Sequence, residues 1–297
     1  MSHSPKSYRQ AQQDAAKRLF RRPHTSPELE AALLLCHLLG VTRSHLMAWP
    51  EKQLTPGQLR DYKTLIRRRL AGEPIAHITG EREFWSLSLH VTPDTLIPRP
   101  ETELLVERAL MHLTDTTAPC IADLGTGSGA IALALASELP NALIHATDRS
   151  SAALAVASKN AERLRFKGIR FYLGDWCQAL PTEEEYDLIL SNPPYIQADD
   201  PHLNQGDLRY ESVTALISGP DGLQDIRSIA AQAPERLKPG GWLLLEHGSE
   251  QAPAVRRILQ DRGFIETASL NDLAGHPRVT EGRLAPARHL ADDFTTA

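Results

Sequence analysis

Two short segments carry residue types that could hold a nucleoside and a planar nitrogen. The first is Asp123-Leu124-Gly125-Thr126-Gly127-Ser128-Gly129-Ala130, set between two apolar runs. Glycines between a strand and a helix make a tight turn and let a ligand meet backbone amides at the helix N-terminus. Gly125, Gly127 and Ala130 satisfy the G-x-G-x-x-G/A spacing of dinucleotide sites. Asp148 follows 23 residues after Gly125, where a ribose-binding acid is expected. Asp123 tips the reading from a dinucleotide to S-adenosylmethionine. A carboxylate just ahead of the first glycine would repel a pyrophosphate but suits a cationic methionine end. Asp148 would accept the ribose hydroxyls, unless it caps the helix that follows. Asp175 and Trp176 come after the third strand, where an acid would meet the adenine amino group and an aromatic its ring. Plain core packing is the alternative for Trp176.

The second segment, Asn192-Pro193-Pro194-Tyr195, is the more specific. Successive prolines hold the backbone extended and remove two amide donors. Local carbonyls then face outward as acceptors, and the Asn192 side-chain oxygen adds another. Together they could hold both N–H groups of a planar amino or amide nitrogen, while Tyr195 stacks on its plane. Asn192, Pro193, Pro194 and Tyr195 are therefore the candidate catalytic residues. Asp123, Gly125, Thr126, Gly127, Ser128, Gly129, Asp148, Asp175, Trp176 and Asn192 are the candidate cofactor contacts. The twelve histidines show no ligand spacing, and no metal is expected.

The elements that must position these segments follow from pattern. Tyr8, Ala11, Ala15 and Leu19 share a helical face. A leucine-rich helix runs from Glu28 to Leu39 and stops at Gly40, and Thr55-Pro56 reads as an N-cap with proline at N1. Leu59, Tyr62, Leu65, Ile66 and Leu70 then form an apolar stripe. The run Arg67-Arg68-Arg69 suits that helix's C-terminal dipole, or a partner. Residues 81–91 alternate like a strand pair, and Pro93, Pro98 and Pro100 stop any helix there. From residue 119 strands and helices alternate. Strands are expected at 120–124, 143–147, 170–173, 186–191, 242–246, 264–270 and 278–284, and helices at 128–138, 151–164, 222–237 and 250–262. Such alternation predicts an α/β fold with a mostly parallel sheet. With no helix between the last two strands, one of them should be antiparallel. The domain reading is a small helical bundle at 1–83, a β-hairpin linker at 84–98 and a Rossmann-like domain at 99–297. The tail after Leu284 is expected to lack regular structure.

Composition narrows the class. Hydrophobic residues are 41% and charged residues 23%, which excludes an intrinsically disordered chain. Cys36, Cys120 and Cys177 are too few and too scattered for a disulfide framework, favouring the cytoplasm. No segment reads as a secretory signal or a transmembrane helix. Residues 1–100 hold 15 Lys/Arg against 9 Asp/Glu, and residues 101–297 hold 17 against 28. The basic first third is compatible with a protein-docking face. The acidic remainder disfavours phosphate-rich partners.

Taken together, the motifs resemble the bacterial release factor glutamine methyltransferases. The resemblance rests on Glu73-Pro74-Ile75-Ala76-His77-Ile78-Thr79-Gly80, Phe84-Trp85, Ile97-Pro98-Arg99-Pro100-Glu101-Thr102-Glu103, Asn192 to Ile196 and Leu245-Glu246-His247-Gly248. It runs from about residue 25 to 284. It implies a helical N-terminal domain, a hairpin and a Rossmann-like methyltransferase domain. It also implies methyl transfer from S-adenosylmethionine, leaving S-adenosylhomocysteine, to the glutamine amide of the Gly-Gly-Gln tripeptide in class 1 peptide chain release factors. Gly125 to Gly129 would hold the methionine part, Asp148 the ribose and Trp176 the adenine side. Arg99 to Glu103 would lie over the pocket. A monomer is expected, with no nucleic acid or membrane partner. The same proline-loop chemistry would also serve a ribosomal-protein glutamine or DNA adenine N6. A dehydrogenase would leave that loop without use, and a catalytically dead adaptor would not need Asn192.

Overall fold

The computed structural model describes residues 5–20, 26–204 and 206–286. The expected irregular tail falls largely at 287–297, outside the described residues. The chain divides into two compact units, Met1–Glu81 with His202–Tyr210, and Arg82–Pro201 with Glu211–Ala297.

The first unit is helical: α1 (Tyr8–Leu19), α2 (Pro27–Leu39), α3 (Arg43–Ala48), α4 (Pro56–Ala71) and α5 (Ile75–Thr79). Its sequence signals are local. Ser7 with Gln10 and Thr55 with Gln58 form reciprocal capping boxes, and Gly40 ends α2 in a left-handed conformation. Leu19, Leu34, Leu35, Tyr62 and Ile66 fill the core, with the Tyr62 hydroxyl donating to the Ala31 carbonyl at 2.8 Å. Two expectations change. Leu70 is exposed rather than part of the stripe. Arg69 is buried and forks onto Glu30, with Nη2 to Oε1 at 2.6 Å and Nε to Oε2 at 3.0 Å, so it is a core ion pair rather than a dipole partner. Its Nη1 reaches Asp207 at 2.8 Å, which ties the 202–210 segment to this unit.

The second unit opens with a two-stranded hairpin, β1 (Glu81–Phe84) and β2 (Leu87–His90). The expected 83/84 boundary falls inside β1, because Phe84 and Leu89 pack into the core of the second unit. Trp85 and Ser86 make the turn at φ 50° and 59°. Non-glycine residues tolerate that region only when held, and here Glu103 accepts from the Trp85 N–H at 2.9 Å. Next come α6 (Glu103–His112), which the sequence reading missed, and then β3 (Cys120–Leu124), α7 (Ala130–Glu138), β4 (Leu143–Asp148), α8 (Ser151–Leu164), β5 (Ile169–Leu173), β6 (Tyr186–Ser191), α9 (Gln224–Gln232), β7 (Leu237–Glu246), α10 (Ala252–Asp261), β8 (Phe264–Asn271) and β9 (Pro277–Leu284). The helix expected at 222–237 is shorter, since Leu237 already begins β7.

The seven strands run β5-β4-β3-β6-β7-β9-β8, parallel from β5 to β7, with β9 antiparallel to both neighbours. The central strands are covered on both faces, which explains their unbroken apolar runs. Ile121, Leu188 and Leu244 belong to one core, while Ala122, Ile189 and Leu243 belong to the other. No helix among the described residues is long and apolar enough to cross a membrane.

Candidate active site

The strand order reverses between β3 and β6, and ligands of open α/β sheets bind outside the carboxyl ends at such a point. Leu124 pairs with Thr147 on one side and with Ser191 on the other. The glycine loop therefore leaves the sheet between Asp148 and Asn192. A cavity of about 380 Å³ opens there, lined by Gly125, Thr126, Gly127, Ser128, Asp148, Asp175, Trp176, Asn192 and Pro194, with Pro93 to Leu96, Thr102 and Ser212 to Ala215 around it.

The glycine loop is held from below. The Gly125 and Thr126 N–H groups donate to the Thr147 carbonyl at 2.8 and 2.9 Å. Gly125 sits at φ 72°, and a Cβ there would lie 3.0 Å from the Trp176 ring. Only glycine allows that turn and that approach. Gly127 also has positive φ, with open space where a side chain would be. Asp123 does not line the cavity. It is fully buried, and its Oδ2 accepts from Thr126 Oγ1 at 2.6 Å and from the Ala132 N–H at 3.2 Å. Burial, with the charge of Asp148 adding, pushes its carboxyl up to about 6. Asp123 thus braces the loop from behind, and Gly129 likewise packs inward against Leu133 and Ala157.

Asp148 faces the cavity. Its Oδ2 accepts from the Gly127 N–H at 2.9 Å and its Oδ1 from the Ser150 N–H at 2.8 Å. The N-cap of α8 is Ser150, so Asp148 links the glycine loop to β4 instead of capping a helix. Asp175 is exposed and Trp176, at φ 46°, packs partly on the core.

The proline loop is braced from distant elements. Asn192 Nδ2 donates to Thr102 Oγ1 at 3.1 Å. The Tyr195 hydroxyl donates to Glu246 Oε1 at 3.3 Å, and its carbonyl accepts from Gln251 Nε2 at 3.0 Å. Glu246 is buried, and desolvation pushes its carboxyl up to about 7 against the pull of Thr102, Arg278 and Tyr195. Burial also raises the Tyr195 phenol. Pro193 and Tyr195 are not among the cavity-lining residues.

Of the Arg99 to Glu103 stretch, only Thr102 lines the cavity. Arg99 pairs with Glu211, and Glu103 holds the hairpin turn. Thr102 lies where that stretch was expected, while sequence reasoning missed two positioning residues, Glu246 and Asn160. Asn160 is fully buried, accepts from the His90 N–H at 2.7 Å, and donates to the His90 and Ser128 carbonyls at 2.9 Å each. Its signal was a carboxamide between Ala157 and Ala161 on an apolar helix face.

The lining fits a group with an amino-acid end, a ribose and a purine. The open space at Gly127 suits the first, the Asp148 carboxylate the second, and Trp176 with Asp175 the third.

Comparison with known proteins places the chain. The family model described as the PrmC N-terminal domain matches residues 10–80, and the Methyltransferase small domain matches 101–208. Over 274 residues the chain is 48% identical to the release factor glutamine methyltransferase of Vibrio cholerae, covering 92% of this chain and 96% of that one. It is 50% identical over 258 residues to the protein of that name from Coxiella burnetii, covering 87% and 92%. The Escherichia coli protein is 49% identical over 259 residues, with the same coverage. Among solved structures, the catalytic domain of hMettl16 in complex with MAT2A 3'UTR hairpin 1 aligns at TM-score 0.53 and 19% identity over 83% of this chain and 86% of that one. The T. thermophilus 16S rRNA N2 G1207 methyltransferase, in complex with AdoMet and guanosine, aligns at 0.52 and 21% over 69% and 49%. At such identity these two show the fold alone. The sequence relatives match nearly end to end, and this chain belongs to the release factor glutamine methyltransferase family.

Proposed function

We propose that this enzyme moves a methyl group from S-adenosylmethionine to the side-chain amide nitrogen of the Gly-Gly-Gln glutamine in class 1 peptide chain release factors, in the cytoplasm. The observation that carries the reading is the direction of the Asn192 amide. Its Nδ2 is committed to Thr102, so its Oδ1 is left to accept at the cavity.

S-adenosylmethionine, when bound, supplies an electrophilic methyl group on a sulfonium sulfur. Gly125 to Ser128 and Asp148 would hold it, with Trp176 and Asp175 beside the purine. The glutamine amide is a weak nucleophile because its lone pair is delocalised into the carbonyl. Asn192 Oδ1 and a carbonyl of the Pro193-Pro194 turn accept its two N–H groups and fix its plane. That orientation is the main contribution, since aligned reactants about 3–3.5 Å apart avoid most of the entropic barrier. As the nitrogen bonds to carbon it becomes positive, and its N–H bonds to these acceptors strengthen, so they favour the transition state. The N–H becomes strongly acidic only after the bond has formed, so the proton leaves last and no base is needed before attack.

The helical unit docks the folded release factor away from the glutamine. An isolated Gly-Gly-Gln peptide then reacts far more slowly than the whole factor, because remote binding energy is lost. The direct test is transfer of labelled methyl to a purified class 1 release factor, with the modified residue located by mass spectrometry. A ribosomal extract and a DNA duplex serve as competing substrates. Label on the Gly-Gly-Gln glutamine is expected. Label only on a ribosomal protein or an adenine overturns the reading.

A further inference from the structure

We propose that Gln251 is a positioning residue for methyl transfer: its side-chain amide pins the Tyr195–Ile196 peptide and so aims the proline-loop carbonyls at the substrate nitrogen. This role rests on the reading of the proline loop given above, and Gln251 itself touches no reacting atom.

A loop that presents carbonyls to a substrate must fix its peptide planes as well as its path. Pro193 and Pro194 lock φ at two positions but leave the planes after them free to rock about ψ. The segment is therefore only as rigid as its two ends. At the first end β6 holds it. Ser191 pairs with Leu245, and its buried hydroxyl donates to the Leu124 carbonyl at 2.6 Å. At the second end the Tyr195–Ile196 peptide is gripped on both edges. Its N–H donates to the Leu216 carbonyl at 2.9 Å, and its carbonyl accepts from Gln251 Nε2 at 3.0 Å.

The Gln251 amide can face only one way. Its Oε1 accepts from the Gly248 N–H at 2.8 Å, in the turn between β7 and α10. Its Nε2 faces three carbonyls, that of Tyr195 and those of Gly222 and Asp221 at 3.4 and 3.5 Å. Turned over, the amide would set its oxygen against three acceptors and its NH₂ against a donor. The clamp also needs a close approach of backbone. Gly222 lies at φ 71°, and a Cβ there would fall 2.3 Å from the Tyr195 oxygen and 2.8 Å from Gln251 Nε2. Asp221 secures that turn, accepting from the Leu223 N–H at 3.2 Å and from the two Nη atoms of Arg227 at 3.1 and 2.5 Å. Gln251 thus ties the proline loop to two other turns. With the Tyr195 carbonyl occupied, the carbonyls of the Pro193-Pro194 turn are left to the substrate.

The test uses the full chain with Gln251→Glu and Gln251→Ala. Glutamate keeps the length and the acceptor for Gly248 but has no proton for Tyr195, and alanine removes both. A purely structural role in the turn between β7 and α10 lies in the acceptor half and survives Gln251→Glu. Positioning lies in the donor half and does not. Methyl transfer to the release factor gives kcat and KM, calorimetry gives cofactor affinity, and thermal melts report folding. Gln251→Glu should lower kcat about 10–100-fold, the scale of loss when a reacting group is misplaced by a change away from the chemistry. KM and cofactor affinity should stay close to wild type, and Gln251→Ala should match the loss in kcat. In an Asn192→Ala background, where the substrate amide is already loosely held, Gln251→Glu should cost far less. A full further loss there overturns the proposal. So does wild-type kcat in either folded Gln251 variant, or cofactor affinity that falls as far as kcat. Exchange of the Ile196 N–H, followed by NMR on ¹⁵N-labelled protein, reads the clamp without activity. It should be slow in wild type and faster in Gln251→Glu, and equal exchange overturns the proposal. If the wild-type enzyme leaves release factors unmethylated, the functional reading fails, while the exchange comparison still decides whether Gln251 pins the loop.

Discussion

Two loops at adjacent strand ends each rest on a buried carboxyl, and the two are built in opposite ways. Behind the glycine loop, Asp123 takes its partners from its own segment, the Thr126 hydroxyl and the Ala132 N–H. Behind the proline loop, Glu246 comes from a different strand and meets the Tyr195 hydroxyl, 51 residues earlier in the chain. One carboxyl brace is local to its loop and the other is brought in by the finished fold. The locally braced loop would hold a cofactor, which asks for a fixed cradle. The other would hold the reacting nitrogen, where the direction of a single amide matters.

The division is testable as a split between rate and affinity. Asn192→Ala should cut kcat about 10²–10³-fold, or ~3–4 kcal/mol, as for loss of one group aimed at developing charge. Cofactor affinity by calorimetry should barely change; a comparable fall in affinity would erase the distinction between the loops. Asp123→Ala should do the reverse. It strands a buried hydroxyl and a buried N–H at ~1–3 kcal/mol each. Cofactor binding should weaken by about tenfold or more, with kcat at saturation nearly kept. Asn160→Ala, which releases Ser128 and His90 from their shared carboxamide, should cost ~2 kcal/mol of stability in denaturant melts. A loss confined to activity would show that Asn160 supports only the site.

The smallest effect concerns pH. Glu246 ionises near 7 when folded against 4.5 as a free group, so the folded chain holds its proton longer. More protons are bound folded than unfolded across that window, so this group lowers stability as pH rises from about 4.5 to 7 and adds no slope above. Asp123 has the same sign between 3.8 and about 6. Glu246→Gln should make the decline in melting temperature across pH 5–7 shallower, by the equivalent of on the order of 1–2 kcal/mol. An unchanged slope would mean that Glu246 titrates like an exposed acid.

Legibility in the sequence followed the same division. The glycine loop could be read because its turn, helix start and brace lie within ten residues. The two prolines could be read because they fix the backbone wherever they stand. Asp123 was placed in the right loop but on the wrong side of it, since spacing does not say which way a side chain faces. Glu246 sat in a noted motif, yet nothing local joins it to Tyr195. Arg69 looked like one cation of three until Glu30, 39 residues away, closed on it. The helix α6 was hidden by Pro93, Pro98 and Pro100 ahead of it, although Pro100 opens the short turn leading into it. Trp85 and Ser86 form a turn that ordinarily takes Asn-Gly, and only the distant Glu103 explains how they hold it.

The helical unit is made from two stretches of chain, Met1–Glu81 and the short return at His202–Tyr210. In the return, Asp207 reaches Arg69, and the Arg209 and Tyr210 side chains donate to the Ala71 carbonyl at 2.8 and 2.9 Å. The unit is therefore not a cassette. A gene severed between codons 81 and 82 encodes no complete copy of it, and a graft of the first 81 residues onto another catalytic domain arrives without its clasp. Moving the whole unit between relatives demands two exchanges made together, one at the beginning of the reading frame and one deep in its second half.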